Sequence, residues 1–256
     1  MRDVQRLKRL ILSLSDIGLR AGWLAGELAR WPIVSAAELL NALCEESERS
    51  DPKAREALLA VSIYFAGLGE CELIDRLREQ AQSRHLLGLD RLLRRAPPLS
   101  TERPTEEFRV PDYGTGRELT LGERRALARR PNRRAFDKLL ADPHPLVIRL
   151  LLQNPKLTED DVVRLVARRP TRSALIHEVA QSQRWLSRSR VRLAIILNPG
   201  SPPEVAMPLL PVCKRTELRE ITQATETSLV LRATAHELLA RRPPLRGIDR
   251  ADVVLQ

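Results

Sequence analysis

The chain has 256 residues, 43% of them hydrophobic, so it can hold one large domain or two modest ones around a real core. With 3% aromatic residues and an excess of Leu, Ala and Arg, it favours helices over strands, because unbranched side chains and Ala lose little entropy in a helix. The longest apolar run free of charge, Ala57 to Gly69, is 13 residues, short of the ~20 needed to cross a bilayer, so no membrane helix is expected.

The segment before it, MRDVQRLKRLILSLS, has neither a long apolar stretch nor a small-residue cleavage site. It reads as an amphipathic first helix of a cytoplasmic protein. Residues 1 to about 95 then continue as consecutive amphipathic helices, at roughly 2–14, 16–30, 35–47, 52–67, 71–82 and 84–94. Ser35-Ala36-Ala37-Glu38 has the pattern of a capping box, and Asp51-Pro52 that of an N-cap followed by a residue already fixed for the first turn. Gly67-Leu68-Gly69 lies between helices with no strand before it, so it reads as a turn and not as a phosphate loop.

Composition then shifts. The stretch from 96 to 118, APPLSTERPTEEFRVPDYGTGRE, has four prolines, two glycines and no helical period. It divides the sequence into an N-terminal helical block (1–95), a Pro-rich linker (96–118) and a C-terminal region (119–256).

Beyond Leu119 the punctuation repeats. Thr120…Glu123, Thr158…Asp161 and Ser201…Glu204 each set a hydroxyl three residues before a carboxylate, the arrangement of a capping box. ALARRPNRRA (126–135) returns 39 residues later as LVARRPTRSA (165–174), and ARRP occurs a third time at 240–243. Each ARRP reads as a helix-to-helix corner: arginines complement the negative end of a helix, Pro stops it, and Asn132 or Thr171 caps the next one. Asn154-Pro155 and Asn198-Pro199 each follow an apolar helix and read as stops, Asn tolerating the left-handed conformation there. At the next expected corner, Leu210-Pro211-Val212-Cys213-Lys214-Arg215 keeps the break and loses the arginine pair. The last ARRP is followed by Pro244 and a polar tail, as an end cap would be.

A period of 39 to 44 residues with two or three helices per unit has the size of HEAT and armadillo repeats. The expected fold is all-α, with a solenoid of stacked helices in the C-terminal half, each layer burying its stripe on its neighbours. The string LTLGERRALARRPNRRAFDKLLADPHPLVIRLLLQNPKLTEDDVVRLVARRP, with VRLAIILNP after it, resembles a group of uncharacterised bacterial proteins with HEAT-like or leucine-rich-repeat-variant α-helical repeats. The resemblance covers about residues 119 to 242. It implies an α-solenoid and no established activity. Some leucine-rich-variant proteins carry an iron–sulfur cluster on clustered cysteines; Cys44, Cys71 and Cys213 are scattered and form no CxxC pair, so that feature is not carried over.

No reaction motif stands out. His177-Glu178 and His236-Glu237 begin like HExxH, yet the second histidine is replaced by Gln181 and Ala240, so no zinc site is expected. His85 and His144 have no companion nearby. Trp23, Trp31 and Trp185 are expected to fill the core or gaps between repeats. A non-catalytic protein with no cofactor follows.

Charge is the remaining signal. The net +10 sits in the C-terminal part, and between Arg124 and Arg192 there are 17 basic and 6 acidic residues. Arg129, Arg130, Arg133 and Arg134 flank one corner and Arg168, Arg169 and Arg172 its copy. Stacked repeats would set the two groups on one edge, as a ladder able to clamp carboxylates or phosphates. The competing role is structural: capping helix ends and pairing with Asp137, Asp160 and Asp161. The sequence thus points to a scaffold or adaptor that binds an acidic protein partner through a basic surface, with phosphate-backbone contact to nucleic acid as the alternative.

Overall fold

The computed structural model describes residues 2–97 and 109–243. It is all-helical, with no strand among the described residues. Residues 98–108 of the proline-rich stretch and the tail from 244 onward, to which the linker and end-cap expectations belong, lie outside the described residues.

The N-terminal block forms six helices: α1 (Arg2–Ser13), α2 (Ile17–Leu28), α3 (Ile33–Glu48), α4 (Pro52–Leu68), α5 (Glu72–Ser83) and α6 (Leu87–Leu93). The expected ends lie within three residues of these. Asp51 caps α4 as expected, accepting from Ala54 N at 2.6 Å, with Pro52 in the first turn. The Ser35 box does not form. The helix starts earlier, at Ile33 behind Pro32, so Ser35 is already inside it and Glu38 pairs with Arg84 instead. A cap absent from the expectations organises α6: Asn41, on α3, accepts from Gly88 N and Leu89 N at 2.9 and 3.1 Å. A Cβ on Gly88 would lie 2.9 Å from that of Cys44, which is why the two helices can approach there only with glycine.

The 13-residue apolar run belongs to α4, and the structure shows why it is apolar all round. Residues from Ala54 to Ala66 bury on several faces, against α1, α2 and α3 and against the later helices Ser173–Ala180 and Pro203–Ala206 and the segment Met207–Val212. Gly67 lies within this helix and Gly69, at φ 67°, terminates it, so the turn begins two residues later than expected.

The C-terminal region comprises α7 (Leu121–Arg129), α8 (Phe136–Leu140), α9 (Pro145–Leu152), α10 (Glu159–Ala167), α11 (Ser173–Ala180), α12 (Gln183–Leu186), α13 (Ser189–Leu197), α14 (Pro203–Ala206), α15 (Arg215–Gln223) and α16 (Leu229–Arg241). The pairing repeats: α7 packs on α9, α10 on α13 and α15 on α16, while α9 and α11 join the first two units. The Thr120 and Thr158 capping boxes both form, each with a hydroxyl accepting at 3.3 Å and a carboxylate returning to the cap N–H at 2.9 Å. The Ser201 box does not. Pro202 and Pro203 start the helix after it, Ser201 Oγ turns back to donate to Ile195 O at 2.5 Å, and Glu204 faces His177.

Before the break at 210–215, which lacks the arginine pair, Met207–Val212 winds as a 3-10 segment that is buried at every residue. It lies against α3, α4, α6, α13, α14 and α16. Two ion-pair groups fix α16 beside it: the Glu48 carboxylate, itself buried, receives Arg91 at 2.7 and 2.8 Å and Arg241 at 2.5 Å, and Arg94 bridges Asp90 to Glu237.

Candidate binding surface

The two complete corners share one construction. α7 ends at Arg129, and Arg130 and Asn132 are in extended conformation; α10 ends at Ala167, and Arg168 leaves likewise. The carbonyls at each helix end need donors. The side-chain amide of Asn154 supplies them for α7, reaching Ala128 O at 2.8 Å and Arg130 O at 2.9 Å. Asn198 does the same for α10, donating to Val166 O and, at 3.1 Å, to Arg168 O. The amide oxygens accept from Lys156 N at 3.0 Å and Gly200 N at 2.8 Å. Both asparagines are buried.

This corrects the reading of the Asn-Pro pairs. Neither asparagine is left-handed, since positive φ outside glycine occurs at Ser50 and His85 among the described residues. Each acts instead through its side chain, as a brace between the end of its own unit and the preceding corner. The brace grips α10 one residue earlier in the motif than α7, because α10 itself ends one residue earlier relative to ARRP. At the first corner Asn132 caps the next turn, accepting from Arg134 N at 3.1 Å. At the second, Thr171 does not cap α11: its hydroxyl turns back to Arg168 O and Arg172 precedes the helix without a side-chain cap.

With the carbonyls occupied from inside, the corner arginines are divided between two fates. Arg133 forks onto Asp161 at 2.7 and 3.1 Å, donates to Lys156 O and lies 5.2 Å over the Phe136 ring. Arg169 pairs with Glu226 and donates to Leu197 O, and Arg172 donates to Pro143 O at 3.2 Å. Arg129, Arg130, Arg134 and Arg168 are exposed and make no ion pair or hydrogen bond through their side chains among the described residues. Asp137 and Asp160, expected as partners of the corners, pair instead with Arg164 at 3.6 Å and Arg190 at 2.6 Å.

Asp161 is the hinge of this arrangement. Burial pushes its carboxyl up, and hydrogen bonds from Arg133, Thr158 and Arg164 outweigh that, holding it well below the usual carboxylate range. In the first unit Glu123 is held at about 2 by Arg117 and by Thr120, on an exposed face.

Sequence reasoning overlooked Arg164 and the groove it borders. Asp161 and Arg164, three apart, share one face of α10, a signal present in the sequence, and Arg168 follows just beyond the end of the helix. Opposite them stand Asp137, Leu140 and Ala141 of α8 and its end, and between the two lies a groove of about 400 Å³.

The other candidates for chemistry resolve as structure. Cys44 and Cys213 are buried, and burial pushes both thiols up, that of Cys213 to about 12, which removes the thiolate a nucleophile needs. His177 reaches Glu204 at 3.4 Å, and His144 caps α9 by accepting from Leu146 N at Nδ1. Trp185 is buried and donates to Leu152 O at 2.8 Å, bridging α12 to α9. No group of three potential metal ligands occurs among the described residues, and no helix there is long and apolar enough to cross a membrane. The chain matches no family model, no curated protein and no solved structure.

Proposed function

We propose that this protein is a non-catalytic scaffold or adaptor of the cytoplasm, whose C-terminal helices are HEAT-like repeats presenting a basic surface to an acidic protein partner. One observation carries the reading: Arg129, Arg130, Arg134 and Arg168 project from the two corners without partners among the described residues, while Asn154 and Asn198 do the capping that would otherwise occupy them. A guanidinium with no internal role offers its planar fork to a carboxylate.

The alternative ligand for such a surface is a nucleic-acid backbone. Exposed Asp137 and Asp160 interrupt the arginines, which suits a partner with separated carboxylates better than a continuous row of phosphates. The test is binding of the full chain to a fluorescein-labelled oligoglutamate and to duplex DNA at two salt concentrations. The oligoglutamate should bind and the quadruple variant R129Q/R130Q/R134Q/R168Q should not. Retained binding by a folded quadruple variant, or preference for DNA with a steep salt dependence, refutes the reading.

A further inference from the structure

The groove between α8 and α10 is not evenly charged. At one end Arg164 is shared between Asp161 at 2.6 Å and Asp137 at 3.6 Å, and Arg133 also pairs with Asp161, so two cations balance two carboxylates there. At the other end stands Arg168, exposed and without a partner among the described residues. Between them the walls are apolar: Leu140 and Leu165, nearly buried, with Ala141 and the exposed Ala167. The volume of about 400 Å³ falls within the range of small-ligand sites, roughly 300–1,000 Å³.

An anion alone leaves the apolar walls uncovered, and an aliphatic group alone leaves Arg168 unanswered. We propose that this groove is a recognition pocket for a short peptide segment in which an aliphatic side chain stands beside a carboxylate. The aliphatic group covers Leu140, Ala141, Leu165 and Ala167, and the carboxylate takes the fork of Arg168. Asp137, 80% exposed at its side chain, disfavours a second negative charge at the balanced end. That selects a peptide carboxylate over a polyphosphate. The proposal rests on the reading of the corner arginines as a surface for acidic segments, and adds to it a requirement for an apolar residue.

The test uses the full chain and fluorescence anisotropy with two labelled peptides, Glu-Glu-Leu-Glu-Glu and Glu-Glu-Gly-Glu-Glu. Burial of one leucine side chain is expected to tighten binding about tenfold or more over the glycine peptide. The variant A167W fills the groove from an exposed position. It should abolish that preference while leaving the glycine peptide unchanged, and R168Q should weaken both. Circular dichroism confirms that each variant is folded. Equal affinity for the two peptides, or a leucine preference that survives A167W, overturns the pocket and leaves the acidic surface standing. If neither peptide binds, both readings fall; if duplex DNA binds in their place, the surface belongs to phosphates.

Discussion

The same four letters, ARRP, fold in opposite ways at the two ends of the C-terminal region. At the first two corners Asn154 and Asn198 reach the helix-end carbonyls from the core, and the arginine side chains are left outside. At the third, residues 240–243, arginines reach the carbonyls. Arg215 donates to Leu239 O and Arg242 O, while Arg242 is itself buried and donates to Cys213 O and to Pro211 O. Burial depresses the Arg242 guanidinium to about 10. The motif therefore does not determine whether its arginines are available; the residue that satisfies the carbonyls does. Where a neutral amide fills that role, Arg129, Arg130 and Arg168 stay without an internal bond among the described residues, although Arg169 still pairs with Glu226, and where a guanidinium fills it the arginines are consumed by the fold.

The sharpest way to break the third corner is to remove what holds its helix. Glu48 is buried and receives both Arg91 and Arg241, so E48A leaves the buried Arg91 without its counter-charge. Losing one partner of a buried pair costs about 3–5 kcal/mol. Urea unfolding should show this as a lowered midpoint for the whole chain, since α16 packs on the Met207–Val212 segment that is itself seated on α4. A midpoint shift under 1 kcal/mol equivalent would mean that the third corner is held by packing alone.

The braces of the first two corners come next. N154A and N198A each strand two carbonyls of a helix end and an amide of the following turn. Buried groups left unpaired cost about 1–3 kcal/mol each, and with all three at the lower bound because water reaches the corner, a loss of about 3 kcal/mol per variant is expected in the same measurement. Because the two sites do equivalent work, the two losses should be similar. A large loss at one and none at the other would show that the corners are alike in sequence and unlike in function.

How much of this the sequence revealed follows from range. Caps set by residues three apart were legible: Thr120, Thr158 and Asp51 behave as their spacing demands. Ser35 and Ser201 failed because neighbouring prolines moved the helix start, a competition that spacing alone does not weigh. The asparagine braces act across 24 to 32 residues, so the sequence marked their positions as helix stops and showed neither the side-chain role nor its target. The buried 3-10 segment likewise gave no local sign that it would lie between α4 and α16. The groove was half legible, since α10 showed its charged face and nothing local showed that α8 would stand opposite.

Acid should distinguish the first two units from one another. The Asp161 carboxyl is held below its ordinary value, so its stabilisation is complete above about pH 4, where the unfolded carboxyl is ionised, and is lost as pH falls toward the lower folded value. D161N removes charge-assisted bonds from Arg133 and Arg164 and should cost about 1–3 kcal/mol at pH 7. The gap between it and the parent chain should narrow as pH falls below 4. Glu123 is depressed too, but on an exposed face, so E123Q should shift stability little at either pH. Parallel pH profiles for parent and D161N would remove Asp161 from its place as the charged link between corner and groove.

The smallest effect on stability is expected where the largest effect on binding is proposed. Arg129, Arg130, Arg134 and Arg168 make no internal bond among the described residues, so changing them to Gln should alter unfolding free energy by about 0.5 kcal/mol or less at each site. Relieving repulsion among clustered cations can even make the sign favourable. Arginines kept for a fold lower stability when removed, and arginines kept for a partner do not. Thermal unfolding of the quadruple variant therefore tests the division between corners directly. A loss of several kcal/mol would place these four residues with Arg242, as parts of the structure and not of a surface.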